Sequence, residues 1–166
     1  AAMQLAGSRV VGLDGVVAQQ ENYKKSGFTL AYRNIRYGGL VRAVRPSEKT
    51  VALADVSLGM IAADDATVFP ARRERFLKQW TTAPGHVGRA VVRDGNLLGW
   101  GVIRPCRKGF KIGPLIADDG RIAATLFGAL TSAVGGGEIF LDVPQPNEAA
   151  IALAEDQGMT PVFETA

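Results

Sequence analysis

The chain has 166 residues, 47% of them hydrophobic and 21% charged, and its 19 Lys and Arg against 16 Asp and Glu leave a formal charge of +3. That is the composition of an ordinary globular protein, with no run near the ~20 apolar residues of a membrane span. One cysteine, Cys106, excludes an internal disulfide framework, and with a single histidine, His86, no Cys/His zinc site can be built.

In chain order, Ala1-Ala2-Met3-Gln4-Leu5 reads as the last turns of a helix running into Gly7. A short apolar strand, Val10-Val11-Gly12-Leu13-Asp14, follows, then a helical stretch ending at Gly27 and a strand over Phe28–Tyr32. Residues 40–54, with Arg42, Arg45, Pro46, Ser47, Glu48 and Lys49, read as a linker holding one short strand. A helical region is expected near Asp55–Ala63. Phe69-Pro70-Ala71 opens another, with proline at a tolerated first-turn position and Phe76, Leu77 and Trp80 on one face. Arg89–Arg93 and Leu97–Ile103 are β-rich runs joined by Asp94-Gly95-Asn96, which is hairpin-turn chemistry. A third strand is expected over Phe110–Ile116, and Arg121–Val134 carries Ile122, Leu126, Leu130 and Val134 at helical spacing. A strand from Ile139, a helix over Asn147–Gln157 and a strand from Thr160 complete the order. Hairpin, strand and β-α-β addition together predict a mixed, mainly antiparallel sheet flanked by helices, of the α/β (α+β) kind.

The chain also echoes itself. Leu13-Asp14, then Gly27-Phe28-Thr29 and Tyr32, correspond to Leu141-Asp142, then Gly158-Met159-Thr160 and Phe163. Each unit reads as strand, Leu-Asp, helix, glycine stop and Thr-containing strand. The expected division is the end of one module at 1–39, a linker at 40–54 and most of a second module at 55–166. Both ends read as cut from a longer chain.

The order of elements, with Ile112-Gly113-Pro114-Leu115, Phe140-Leu141-Asp142-Val143-Pro144 and Asn147 with Gly158-Met159, resembles the GNAT superfamily of acyl-CoA N-acyltransferases, in its bacterial tandem form. The resemblance implies an N-acetyltransferase that moves an acetyl group from acetyl-CoA, its cosubstrate, to a small-molecule or peptide amine, without a metal. It further implies that Ile112, Gly113, Leu115, Gly120, Arg121, Ala123 and Asn147 form the cofactor-binding wall. Backbone N–H groups at a helix N-terminus suit a pyrophosphate, and a Tyr on the last helix commonly protonates the departing thiolate.

Two departures bear on where the chemistry lies. The pyrophosphate turn of the family runs (Gln/Arg)-x-x-Gly-x-(Gly/Ala), and here that place reads Ala117-Asp118-Asp119-Gly120-Arg121-Ile122-Ala123, with carboxylates where a diphosphate would sit. Asp118 or Asp119 reads more simply as a helix cap, as does Asn147. Counting four back from each helix-ending glycine gives Tyr23 in the first unit but Ala154 in the second. The general acid is therefore expected at Tyr23, with catalysis in the first module and the second shaping the acceptor site or acting as a non-catalytic binding or structural domain. Asp142 at a strand end reads as turn-stabilising, with a side chain pointing into the cleft as the alternative, His86 as a loop or strand-edge residue and Cys106 as a turn residue. The clusters Arg72-Arg73-Arg75-Lys78 and Arg104-Arg107-Lys108-Lys111 read as solvated faces, lacking the interleaved aromatics of a nucleic-acid platform. No membrane or nucleic-acid partner is expected. A cytoplasmic location is expected from the lone cysteine and the missing secretory signal, and an unclosed terminal strand allows pairing with another copy.

Overall fold

A computed structural model of the chain describes residues 6–166, so the turns expected over Ala1–Leu5 lie outside the described residues. Seven strands form one sheet: β1 (Asn34–Val41), β2 (Val51–Ala52), β3 (Val87–Arg93), β4 (Asn96–Pro105), β5 (Phe110–Ala117), β6 (Gly137–Pro144) and β7 (Thr160–Thr165). Among the described residues it is accompanied by the α-helices α1 (Gln20–Lys25), α2 (Leu58–Val68), α3 (Glu74–Thr81), α4 (Gly120–Ala133) and α5 (Glu148–Asp156). The strand order is β2-β3-β4-β5-β6-β1-β7, antiparallel throughout except for β5 against β6. This is the mixed, mainly antiparallel architecture expected from the sequence.

The β3–β4 hairpin closes on Asp94 and Gly95, both with positive φ (51° and 79°), the conformation this turn chemistry favours. Helix α4 is buried along Ile122, Leu126, Phe127 and Leu130, and packs on the sheet with Ile103, Ile112, Ile139, Leu141 and Val143. A second cluster gathers Leu53, Ile61, Leu77, Ala90, Trp100 and Val102 beneath α2 and α3.

Local differences from expectation have local causes. Helix α2 starts at Leu58, where the Ser57 side chain accepts from Met60 N, so the cap places the start later than the hydrophobic pattern did. Helix α3 begins at Glu74, four residues past Pro70, because Arg73 turns back to bind Asp65 instead of continuing a helix.

The largest difference is β1. Residues 34–41, read as the end of one module and the start of a linker, lie between β6 and β7 in the one sheet. A Cβ on Gly38 would come within 2.9 Å of the Phe140 ring, and one on Gly39 within 3.1 Å of Met159 Cα. Two adjacent glycines let β1 fit between its neighbours, and the same glycines weaken its appearance as a strand in sequence.

Candidate functional site

Parallel pairing of β5 with β6 covers only Phe110↔Ile139, Lys111↔Phe140 and Ile112↔Leu141. Beyond Ile112 the partner strands no longer pair, and Pro114 has no N–H to offer a ladder. The Gly113 carbonyl instead accepts from Trp80 Nε1 at 3.1 Å. A cleft of about 450 Å³ opens there, lined on one side by Ile112, Gly113, Pro114 and Leu115 and on the other by Leu141, Asp142, Val143 and Pro144.

The N-terminus of α4 closes one end. Asp119 caps it, its Oδ1 accepting from Ile122 N at 2.8 Å, and Gly120 and Ala123 line the cleft. A cap of this kind satisfies one of the first-turn amides and leaves others for a ligand. It also places a carboxylate at the mouth where the family resemblance expects a diphosphate. Asn147, whose Oδ1 accepts from Ala150 N at 3.0 Å, caps α5 and also lines the cleft. Six of the seven residues expected to form the cofactor wall, Ile112, Gly113, Leu115, Gly120, Ala123 and Asn147, thus share one cleft. Arg121 is exposed on the first turn of α4 and lies outside the lining.

A cation–aromatic wall faces this one. Trp80 stacks on Phe76 (5.3 Å between centroids), meets His86 edge-on (4.7 Å) and lies under the Arg104 guanidinium (5.3 Å). His86 Nδ1 is 2.8 Å from the Trp80 carbonyl, which fixes the loop leading into β3. Arg73 stands over Phe69 and Phe76 and grips the buried Asp65 through two hydrogen bonds of 2.8 and 2.7 Å. Within each basic cluster read as solvated, Arg73, Arg104 and Lys111 instead turn toward the cleft. Only their partners, Asp65, Trp80 and Asp142, reveal this, and each partner lies on a different element from the cation it meets.

On the β6 side of the cleft, Asp142 is held by two cations. Arg36 Nε and Nη2 donate to its two oxygens at 2.7 and 3.1 Å, and Lys111 Nζ donates to Oδ2. Burial opposes its ionisation, but the hydrogen bonds and charges of Arg36 and Lys111 outweigh burial and hold its carboxyl below the usual range. Asp142 is therefore an ion-pair anchor, not the turn residue expected from sequence. Behind α2, burial pushes the Asp64 carboxyl up, partly offset by the hydrogen bond that Trp100 Nε1 donates to its Oδ2 at 2.9 Å.

Tyr23 lies elsewhere. On α1, half-buried, it packs edge-on against Phe28 (6.3 Å) and lines a separate groove of about 840 Å³ with residues 10–14 and 27–32. Its counterpart Ala154 is fully buried among Tyr37, Leu141 and Met159. Among the described residues lining the first cleft there is no Tyr, Ser, Thr, Cys or His. Among the described residues no cluster of three metal-ligating side chains occurs, and no helix is long and apolar enough to cross a membrane.

A mixed sheet whose parallel pair parts beside a helix N-terminus defines an acyltransferase-type fold with an open cleft between two strands. The family model for the GNAT acetyltransferase domain matches residues 61–166, and the chain belongs to that family. The holothin acyltransferase of Pseudoalteromonas sp. (strain SANK 73390) is 30% identical over 161 residues, covering 95% of this chain and 54% of that protein. A structure from Pyrococcus horikoshii assigned as an acetyltransferase superposes with a TM-score of 0.73 at 24% identity, over 98% of this chain and 54% of the other. A GNAT-family acetyltransferase from Colwellia psychrerythraea gives 0.60 at 17% identity, over 99% and 67%. The chain thus spans about half the length of the curated relative it matches.

Proposed function

We propose that this chain is the C-terminal portion of a tandem GNAT enzyme that transfers an acetyl group from acetyl-CoA to an amine. The amine nitrogen attacks the thioester carbonyl, a C–N bond forms as the C–S bond breaks, and the thiolate takes up a proton. Residues 1–39 finish the module that supplies the proton, with Tyr23 as general acid. Residues 55–166, linked through 40–54, form the partner module.

The observation that carries this division is the lining of the first cleft. Its shape suits an acyl-CoA: Ile112, Gly113 and Leu115 offer strand backbone to an extended arm, and Gly120 and Ala123 flank a helix N-terminus. Its chemistry suits turnover poorly. It holds no hydroxyl, thiol or imidazole, its Lys111 is committed to Asp142, and Asp119 sets negative charge at the helix mouth. Tyr23 has the hydroxyl that this cleft lacks. The cation–aromatic wall of Arg73, Phe76, Trp80 and Arg104 is then free to shape the acceptor side of the assembly.

A second reading, in which the partner module is a non-catalytic binding domain, draws on the same lining. Calorimetry of the 166-residue chain with acetyl-CoA separates a binding cleft from a purely structural one. We expect binding weaker than micromolar, and micromolar binding contradicts the weakened diphosphate site. Turnover of the full-length enzyme tests the acid: Tyr23→Phe should lower kcat by about 10²–10⁴ with little change in the acetyl-CoA KM. An unchanged rate across the pH range sinks Tyr23 as the acid.

A further inference from the structure

Four charged side chains form a row across the sheet: Arg104 on β4, Lys111 on β5, Asp142 on β6 and Arg36 on β1, strands adjacent in that order. Three cations thus share one carboxylate, and they share it unevenly. Lys111 and Arg36 both bind Asp142. Arg104 sits directly opposite Lys111 in the antiparallel β4–β5 ladder, where like charges repel. No carboxylate offsets that repulsion. Of the three cations lining the cleft, Arg73 has Asp65 and Lys111 has Asp142, but Arg104 has no such partner among the described residues.

An aromatic face holds this guanidinium instead. It stands 5.3 Å from the centre of the Trp80 ring, and Nη1 donates one long hydrogen bond, 3.3 Å, to the Pro105 carbonyl. Trp80 is itself fixed, since Nε1 donates to the Gly113 carbonyl while the ring stacks on Phe76 and meets His86 edge-on. Arg104 is therefore half-buried, oriented in advance and left with most of its five N–H donors. A guanidinium so placed matches a carboxylate in bidentate fashion. The side chains of Phe76, Ile112, Leu115 and Leu141 give the same cleft an apolar lining. Arg104 is also remote from the end of the cleft that suits a diphosphate. Its partner Lys111 lies six residues before Ala117, the last residue of β5, so about 20 Å of strand separates it from the turn into α4.

We propose, resting on the reading of this wall as the acceptor side of an acetyl transfer, that Arg104 sets acceptor specificity. The acceptor is an amine that also carries a carboxylate and an apolar side chain, as an apolar α-amino acid does. Its carboxylate binds Arg104 and gives the charge row a second anion, while its side chain lies against Phe76 and Trp80. At about 450 Å³ the cleft is at the small end of ligand sites, which fits one molecule of amino-acid size. An amine without the carboxylate brings only a further positive charge to a row already rich in cations.

Calorimetry of the 166-residue chain with matched pairs of ligands tests this: leucine against isopentylamine, phenylalanine against phenethylamine, and tryptophan against tryptamine. Within each pair only the carboxylate differs. At least one amino acid should bind at millimolar concentration or below, and about 10- to 100-fold more tightly than its amine. Arg104→Gln should remove that preference and Arg104→Lys should restore part of it. Arg107→Gln, exposed in the adjacent turn and outside the cleft lining, should leave it unchanged. The comparison within each pair on the parent chain decides the matter even where Arg104→Gln fails to fold. Absence of amino-acid binding at millimolar concentration, equal binding within every pair, or equal loss in Arg104→Gln and Arg107→Gln overturns the proposal. So does inorganic phosphate that competes as well as the amino acid itself, which assigns Arg104 to a phosphate. The measurement involves neither acetyl-CoA nor Tyr23. A failure here leaves acetyl transfer standing, and a failure of the Tyr23→Phe test leaves the carboxylate site standing.

Discussion

Arg36 and Asp142 meet side by side on adjacent strands, 106 residues apart in sequence, through two hydrogen bonds of 2.7 and 3.1 Å. The pair joins β1, most of which the sequence reading assigns to residues 1–39, to the β6 side of the cleft.

This pairing gives the protein an acid-sensitive contact. The Asp142 carboxyl is held below its ordinary value, so its contribution to stability is complete above pH ~4, the unfolded carboxylate range, and is lost as pH falls through the lower folded value. Arg36→Gln should cost about 1 kcal/mol at neutral pH, the pair being only partly shielded and Lys111 remaining. It should also move the acid-unfolding midpoint upward. Urea denaturation from pH 3 to 7 reads both effects, and parallel pH profiles for variant and parent would contradict the assignment.

Asp65 and Arg73 form the more buried pair, with only 2% of the Asp65 side chain exposed. Arg73→Leu strands a carboxylate in the α2–α3 interior and should destabilise by about 3–5 kcal/mol. Adding Asp65→Leu removes the orphaned charge and should recover much of that loss. Denaturation of the two single variants and the double variant yields the coupling directly.

Asp64 predicts the opposite sign. Its raised carboxyl value means that the ionised form is disfavoured on folding, so stability is greatest below the unfolded value and declines as pH rises through the folded one. Asp64→Asn keeps an oxygen to accept from Trp100 Nε1 and removes the half-buried charge. Near pH 7 the Tm should rise by about 2 °C. The gain should vanish near pH 3, where the parent is already protonated, and thermal melts at both pH values check it.

At the cleft mouth, Asp119→Ser retains a cap for Ile122 N while removing a negative charge from the end of α4. Acetyl-CoA should bind the 166-residue chain several-fold more tightly as a result, and the gain should shrink as salt rises. Asp119→Ala, losing the cap as well, should cost about 1 kcal/mol of stability. Calorimetry at two ionic strengths reads the first effect, and denaturation reads the second.

Much of the fold was legible because its signals are local. The Asp94-Gly95 turn needs positive φ, the spacing of Ile122, Leu126 and Leu130 suits one helix face, and Asp119 and Asn147 cap helices through side chains three residues from the amides they bind. The residues that the family resemblance proposes for a cofactor wall lie close together for a local reason, since Ile112, Gly113 and Leu115 sit on one strand that runs into α4. The facing wall was not legible in this way. Arg73, Arg104 and Lys111 look like surface charge until Asp65, Trp80 and Asp142 are brought beside them, and those partners come from other elements.

By itself, then, the sequence determined the hairpin, the helix faces and caps, and the repeated unit ending at Gly27 and Gly158, each set by conformational preferences within a few residues. Only the tertiary structure decided that residues 34–41 enter the sheet between β6 and β7, and that Arg36 thereby reaches Asp142. Two glycines leave little propensity in that segment, and a strand's place in a sheet is fixed by backbone partners far away in the chain.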